Sequence, residues 1–229
     1  MAPPPPPTPF SFTFSPSLSP FNIPLAQYLP TRLKNLAALK YGATGALVFS
    51  RHPSTPDTDR ILLLQRAPND SMPLRWEIPG GACDDEDETV LHGLARELWE
   101  ESGLVLTNVV RVVGEDVFFT RSGRLVEKVS FEVEVEGGGG GGKDGGGPPE
   151  VKLDPVEHVK FLWADEGECR DGKVKVKVGN GVEKGKGGGE EGEEKVMEIE
   201  FTTKEQRDVI LRGFKLRREE RGGKEAASC

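Results

Sequence analysis

Two glycine tracts decide where a core can form in this chain. Residues 137–149 read GGGGGGKDGGGPP, and residues 179–195 mix Gly with Glu and Lys. Neither stretch has the apolar side chains to offset the entropy of ordering its backbone, so both are expected to be flexible insertions. The Pro-rich residues 1–24 are expected to be a disordered tail, and residues 221–229 a disordered C-terminal tail. One domain over residues 25–220 remains, with the two insertions looped out of it. That division explains why only 35% of the 229 residues are hydrophobic: the deficit is local.

Outside the tracts the apolar spacing switches period. Residues 23–40 carry Leu25, Tyr28, Leu33, Leu36 and Leu39 around Pro30, the pattern of a short helix. Residues 43–50 and 60–65 are short apolar runs expected as buried strands. Trp76, Glu77 and Ile78 lead into Pro79, Gly80 and Gly81, which force a turn. Over residues 89–102, Leu91, Leu94, Ala95 and Leu98 fall at i, i+3, i+4 and i+7, one apolar helix face, with Thr89 as N-cap and Gly103 ending it. Strands are expected at 109–113, 117–120 and 126–135, with a hairpin turn at 121–124. The last strand sets Val129, Phe131, Val133 and Val135 on one face. Residues 159–163 read as a strand, 173–178 and 196–201 as an antiparallel arm, and 203–219 as a final helix opened by Thr203. Strands, helix, strands and helix with many hairpins indicate an α+β fold: an α/β/α sandwich with a mixed, partly antiparallel sheet and helices on both faces. No GxGxxG follows a strand and no GxxxxGK[ST] occurs, so Rossmann and P-loop folds are not indicated.

The net charge of -8 argues against stable nucleic-acid binding. It leaves room for a small nucleotide whose phosphates are screened by metal ions. Cys83, Cys169 and Cys229 form no CxxC pair, so neither a thiolate metal site nor a disulfide framework is expected. No run approaches the roughly 18 apolar residues of a membrane span. The chain has no acidic residue before Asp57, and its Ser-rich start has the composition of a transit peptide. Against that, the first basic residue is Arg32 and prolines 3–7 oppose an early amphipathic helix. The cytoplasm is the expected compartment, with mitochondrial import the minor alternative.

The helix at 89–102 carries a mismatch. Glu97, Glu100 and Glu101 stand at i, i+3 and i+4 in its last turn, where they repel one another by about 0.2 to 0.5 kcal/mol per pair and oppose the helix dipole. Arg96 is adjacent but is expected to point about 100° from Glu97, the per-residue rotation of a helix, and so not to neutralise all three. A hard divalent cation would, and clustered carboxylates without Cys or His suit Mg²⁺ or Mn²⁺. The alternative is an ordinary solvated acidic face. Pro79, Gly80 and Gly81 just upstream let the backbone come close to such a cation.

The whole stretch, WEIPGGACDDEDETVLHGLARELWEESGL over residues 76–104, resembles the Nudix box: Gly, five residues, Glu, seven residues, then Arg-Glu-apolar-x-Glu-Glu-x-Gly-apolar. Glu88 and the run from Arg96 to Leu104 match the second part. The first part departs, because six residues separate Gly81 from Glu88. The resemblance implies a Nudix fold and a hydrolase that cleaves the phosphoanhydride bond of a nucleoside diphosphate linked to another moiety, such as a nucleotide or nucleotide sugar. It implies Glu97, Glu100, Glu101 and the Gly80 carbonyl as ligands of Mg²⁺ or Mn²⁺, with Glu100 and Glu101 in the catalytic set. Arg96 would pair with Glu88 and, with Gly81, brace the loop. For the general base the candidates are Glu157 and, second, Glu166; His92 and His158 are given ordinary roles. Cys83 is expected in an exposed part of the lengthened loop. Substrate-binding residues are not readable, although Phe118 or Phe119 offers a face on which a base could stack. Two other readings stand beside the enzyme: a catalytically silent Nudix module that binds a nucleotide and acts through a partner, and a scaffold working through its low-complexity loops. The family's many dimers leave a homodimer open.

Overall fold

The computed structural model describes residues 7, 9–32, 39–52, 55–138, 148–178 and 193–227. Seven strands form one sheet: β1 (Thr13–Phe14), β2 (Leu39–His52), β3 (Thr55–Arg66), β4 (Trp76–Glu77), β5 (Leu106–Phe119), β6 (Leu125–Val135) and β7 (His158–Asp165). Their order is β1-β5-β6-β2-β3-β4, with β7 paired to β3. β1 runs parallel to β5 and β2 parallel to β6, while the other pairings are antiparallel. The sheet is therefore mixed, as expected. β2 pairs with β6 up to Val48 and with β3 from Phe49 onward, so one long strand joins the two halves of the sheet. The two strands expected at 109–113 and 117–120 are a single β5.

Side chains alternate between two cores. Ala46, Val48, Leu62, Leu64, Val129, Phe131 and Val133 face one side, where they meet Leu91, Leu94 and Leu98 of α2 (Val90–Ser102). Leu47, Phe49, Ile61 and Leu63 face the other, against Val209, Ile210 and Phe214 of α4 (Lys204–Ala227). Burial on both faces is why residues 60–65 read as a continuous apolar run and not as an alternating one. α2 begins at the expected N-cap, with Thr89 Oγ1 accepting from the His92 N–H, and ends at Gly103 with φ 67°. A short helix that the apolar pattern did not announce, α3 (Glu166–Asp171), is fixed by a capping box between Asp165 and Glu168.

Residues 9–24 depart from the expected disordered tail. Phe14 pairs with Val109, Leu18 and Phe21 are buried, and the Phe21 ring stands edge-on to Phe131 at 5.1 Å. Prolines 16 and 20 fit a tight 3-10 turn over Pro16–Phe21. Spaced aromatic side chains among the prolines bury enough surface to order the segment. α1 (Leu25–Arg32) continues it, with Tyr28 1% exposed and Arg32 bonded to Glu127 at 3.1 Å. The expected disordered end at 221–229 also needs correction, because α4 runs to Ala227 and Arg221 pairs with the buried Asp59.

β8 (Lys173–Val178) pairs antiparallel with β9 (Glu193–Glu198), about three residues upstream of the expected second strand, setting Lys173 opposite Glu198. Residues beyond β9 turn to run beside β4, where Trp76 N–H donates to Glu200 O at 2.8 Å. Most of the two expected insertions, residues 139–147 and 179–192, lies outside the described residues, as do residues 1–6 and 228–229. Among the described residues no helix is long and apolar enough to cross a membrane.

Candidate active site

The loop after β4 is strapped along β2. Thr44 N–H donates to the Gly81 carbonyl at 2.9 Å, Ala46 N–H to the Pro79 carbonyl at 2.8 Å, and Cys83 N–H to the Gly42 carbonyl at 2.9 Å. Between the two bonded carbonyls, that of Gly80 receives no donor among the described residues. Gly80 has φ 140°, and a Cβ there would lie 2.3 Å from the Thr44 carbonyl oxygen, so only glycine fits. Its N–H donates to Glu101 Oε2 at 2.6 Å, which joins the loop to the last turn of α2. Glu97 packs on the other glycine: a Cβ on Gly81 would lie 2.4 Å from its Oε2.

The three α2 glutamates do not converge on one point. Glu97 and Glu100 are both drawn to Arg96 Nη1, at 2.9 Å each. The expectation that Arg96 points away is corrected here, because its long side chain folds across both. Glu101 turns instead towards Glu157 and His158, and ligand atoms of those three lie within 4.8 Å of one another. Glu101 is 5% exposed. Burial, with Glu77, Glu97 and Glu157 nearby, holds its proton well above the usual carboxylate range against the Gly80 N–H. Burial likewise raises the Glu97 carboxyl to about 7, opposed by Arg96 and supported by Glu100 and Glu157. Two carboxylates and one imidazole at that spacing, with Glu97 nearby and too little positive charge among them, can hold a divalent cation, the carboxylate oxygens suiting a hard one.

Glu157 sits at the entrance to β7, held where its carbonyl accepts from Ala67 N–H at 2.7 Å. Glu166 is at the opposite end of that strand, in the first turn of α3 and paired with Arg218. The length of β7, about 3.3 Å per residue, removes Glu166 from the glutamates. Phe118 and Phe119 are exposed near the end of β5, at 42% and 70%.

The brace differs from the expected one. Arg96 grips Asp87, with Nε to Oδ1 at 2.9 Å and Nη2 to Oδ2 at 3.0 Å, and not Glu88. Glu88 is 75% exposed in its side chain and, among the described residues, approaches only His92, at 3.5 Å. Five residues separate Gly81 from Asp87, so spacing from the glycine is kept and the extra residue falls just before the helix. Asp87 also accepts from Asp84 N–H at 2.8 Å, which closes the loop on itself. Cys83 is buried beneath this turn and not exposed, and burial raises its thiol. Asp87→Ala is expected to cost about 2 kcal/mol by removing two charge-assisted hydrogen bonds from the half-buried Arg96, which keeps Glu97 and Glu100. Glu88→Ala should stay within about 0.5 kcal/mol. Denaturant unfolding of the two variants side by side decides which acid is the brace.

A buried polar chain lies behind the glutamates. His158 is 2% exposed, with Nε2 3.3 Å from Glu77 Oε1, and Arg66 bonds both Glu77 and, at 2.6 Å, Asp70. From the sequence, His158 is assigned an ordinary role, and Arg66, Asp70 and Glu77 are assigned none in the site. The one signal was Glu77 itself, a carboxylate set between Trp76 and Ile78 just ahead of the glycine turn.

A MutT-like protein of Streptomyces ambofaciens is 37% identical over 82 residues, covering 32% of this chain and 50% of that protein. The chain thus spans about half the length of the curated relative it matches. Similar solved structures include a MutT protein from Methanosarcina mazei Go1, 25% identical, covering 60% of this chain and 85% of that one with a TM-score of 0.43. Another is the NUDIX domain of Shewanella oneidensis NrtR, 17% identical, covering 64% of this chain and 86% of that one with a TM-score of 0.45. The family model of the NUDIX domain matches residues 43–169. That range is more than half of the chain and holds the strapped glycine loop, α2 and the start of β7 together, so the chain belongs to the Nudix family.

Proposed function

We propose that the protein is a metal-dependent hydrolase that cleaves a phosphoanhydride bond in a nucleoside diphosphate derivative. The observation that carries this reading is Glu101: a buried carboxylate anchored to the Gly80 N–H, with Glu157 and His158 within 4.8 Å. Glu97, Glu100, Glu101 and the free Gly80 carbonyl are the groups that would hold Mg²⁺ or Mn²⁺. Bound there, the ion supplies Lewis-acid polarisation of the diphosphate oxygens and lowers the pKa of a water. Glu157 stands at the solvent edge of the cluster and takes a proton from the attacking water as its oxygen bonds to phosphorus and the P–O bond to the leaving phosphate breaks. Arg96 holds Glu97 and Glu100, which a bound cation would share with it, and its grip on Asp87 keeps the loop in place.

The test is a hydrolysis screen of the full chain on nucleoside triphosphates, ADP-ribose, nucleotide sugars and dinucleoside polyphosphates, with Mg²⁺, Mn²⁺ or EDTA. Metal-dependent release of phosphate or a nucleoside monophosphate, lost in Glu100→Gln, is the expected result. Folded protein with no turnover on any of them would end the enzyme reading and favour the silent binding module.

A pH signature accompanies the site. The Glu97 carboxyl titrates near 4.5 in the unfolded chain and near 7 in the fold. Between those values the folded chain keeps a proton that the unfolded chain has lost, so metal-free stability falls as pH rises across that window. A cation needs the carboxylate, so its affinity rises across the same window. In EDTA, the melting temperature is expected to drop by about 5 °C between pH 5 and pH 8. Mn²⁺ should restore it at pH 8 and do little at pH 5. A Glu97→Gln variant that kept the full pH slope would sink this assignment.

A further inference from the structure

A cavity of about 790 Å³ lies between the β3–β4 loop, the β5–β6 turn and the start of α4. That size falls within the roughly 300–1,000 Å³ of small-molecule sites. Five cationic side chains line it, Arg75, Arg121, Arg170, Lys204 and Arg207, against one carboxylate, Asp171. In a chain of net charge -8, this is a local reversal of sign. None of Gly80, Glu97, Glu100, Glu101 and Glu157 lines it.

The cations are held where an anion could recruit them. Arg75 meets Glu200 at 2.8 Å, Arg170 meets Asp171 at 3.4 Å, and Lys204 pairs with Asp208. These pairs are solvent-exposed, and such pairs are weak enough for a phosphate to displace. Arg121, on the turn, has no hydrogen-bond or ion-pair partner among the described residues. Arg207 donates through Nη2 to the Arg170 carbonyl, while its Nε, shielded from solvent, has no acceptor among the described residues. The 24-residue α4 adds the N–H groups of its first turn. Thr203 Oγ1 caps the Gln206 N–H at 3.0 Å, which leaves those of Lys204 and Glu205 without an intrahelical acceptor.

We propose that this cavity binds a polyphosphate group, inorganic or carried on an organic phosphate, independently of the carboxylate site. Guanidinium forks match the paired oxygens of adjacent phosphates, and a helix N-terminus favours the same charge. A single carboxylate ligand would leave most of the five cations unneutralised, whereas linked phosphates carry enough charge to engage several of them.

The test is calorimetric titration of the full chain with inorganic tripolyphosphate and with ATP, in EDTA and at low salt. Saturable binding of either is expected, weakening as salt rises because neutralised phosphates release counterions. The double variant Arg121→Ala/Lys204→Ala should lose about tenfold or more in affinity while keeping the wild-type melting temperature. Glu100→Gln should bind as the wild type does, which separates this site from the proposed hydrolysis. No saturable binding of either anion by the folded wild type would overturn the proposal. So would affinity unchanged in the double variant, or affinity that moves with Glu100→Gln.

Discussion

Glu101→Gln is expected to lower turnover of a diphosphate substrate by more than about 100-fold. Loss of a group in the outer shell of a metal site already costs roughly 10- to 100-fold, and Glu101 is argued to contact the ion itself. The melting temperature should hold or rise in the metal-free variant. The reason is the burial of this carboxyl at 5% exposure, which holds its proton well above the usual range. Gln mimics the neutral form that the fold prefers, with its amide oxygen available to the Gly80 N–H. Steady-state kinetics with saturating Mn²⁺, beside thermal melts in EDTA, gives both numbers. Retained activity would remove Glu101 from the proposed ligand set. Lost activity together with a large fall in melting temperature would mean that the residue only supports the loop.

Gly80→Ala is expected to destabilise the fold by on the order of 3 kcal/mol, or roughly 6 to 12 °C in melting temperature. The added Cβ would meet two backbone groups, Thr44 O at 2.3 Å and Gly45 Cα at 2.7 Å, in β2 at the centre of the sheet. Flexible side chains can give way, but a central strand cannot. The φ of 140° adds strain for any L side chain. Gly45→Ala is the informative control, because its added methyl would meet side-chain ends, with Ile78 Cδ1 nearest at 2.9 Å. A smaller loss at Gly45 than at Gly80 is the expected order, and equal losses would contradict the strapping of the loop to β2.

Local signals carried most of the architecture into view. α2 was legible because Thr89, the Leu91–Leu94–Leu98 spacing and Gly103 each act within a few residues of where they sit. β6 was legible because alternation is a property of one strand. Nothing local marked the packing of residues 9–24, since whether Phe21 is solvated depends on Phe131, more than a hundred positions away. The site divides in the same way. Helical spacing was enough to group Glu97, Glu100 and Glu101, but their turning apart depends on the reach of Arg96 and on where the Gly80 N–H lands. The choice of Asp87 over Glu88 follows from where a loop takes up an added residue. Here the N-cap at Thr89 and the tie from Asp84 N–H to Asp87 put the slack between them. Glu77, Arg66 and His158 come from three different strands, and only β3 pairing with both β4 and β7 brings them together.

The two packed cores have a consequence for where this protein can be cut. The span that similarity recognises begins at residue 43 and ends at residue 169. Yet Leu18, Phe21 and Tyr28 complete one core, and Val209, Ile210 and Phe214 complete the other. A chain trimmed to the recognised span would bare an apolar surface on each side of its sheet, an invitation to stick to its neighbours. The unit that folds here is thus larger than the span that the family model matches. Its two coverings are supplied by residues on either side of the matched span.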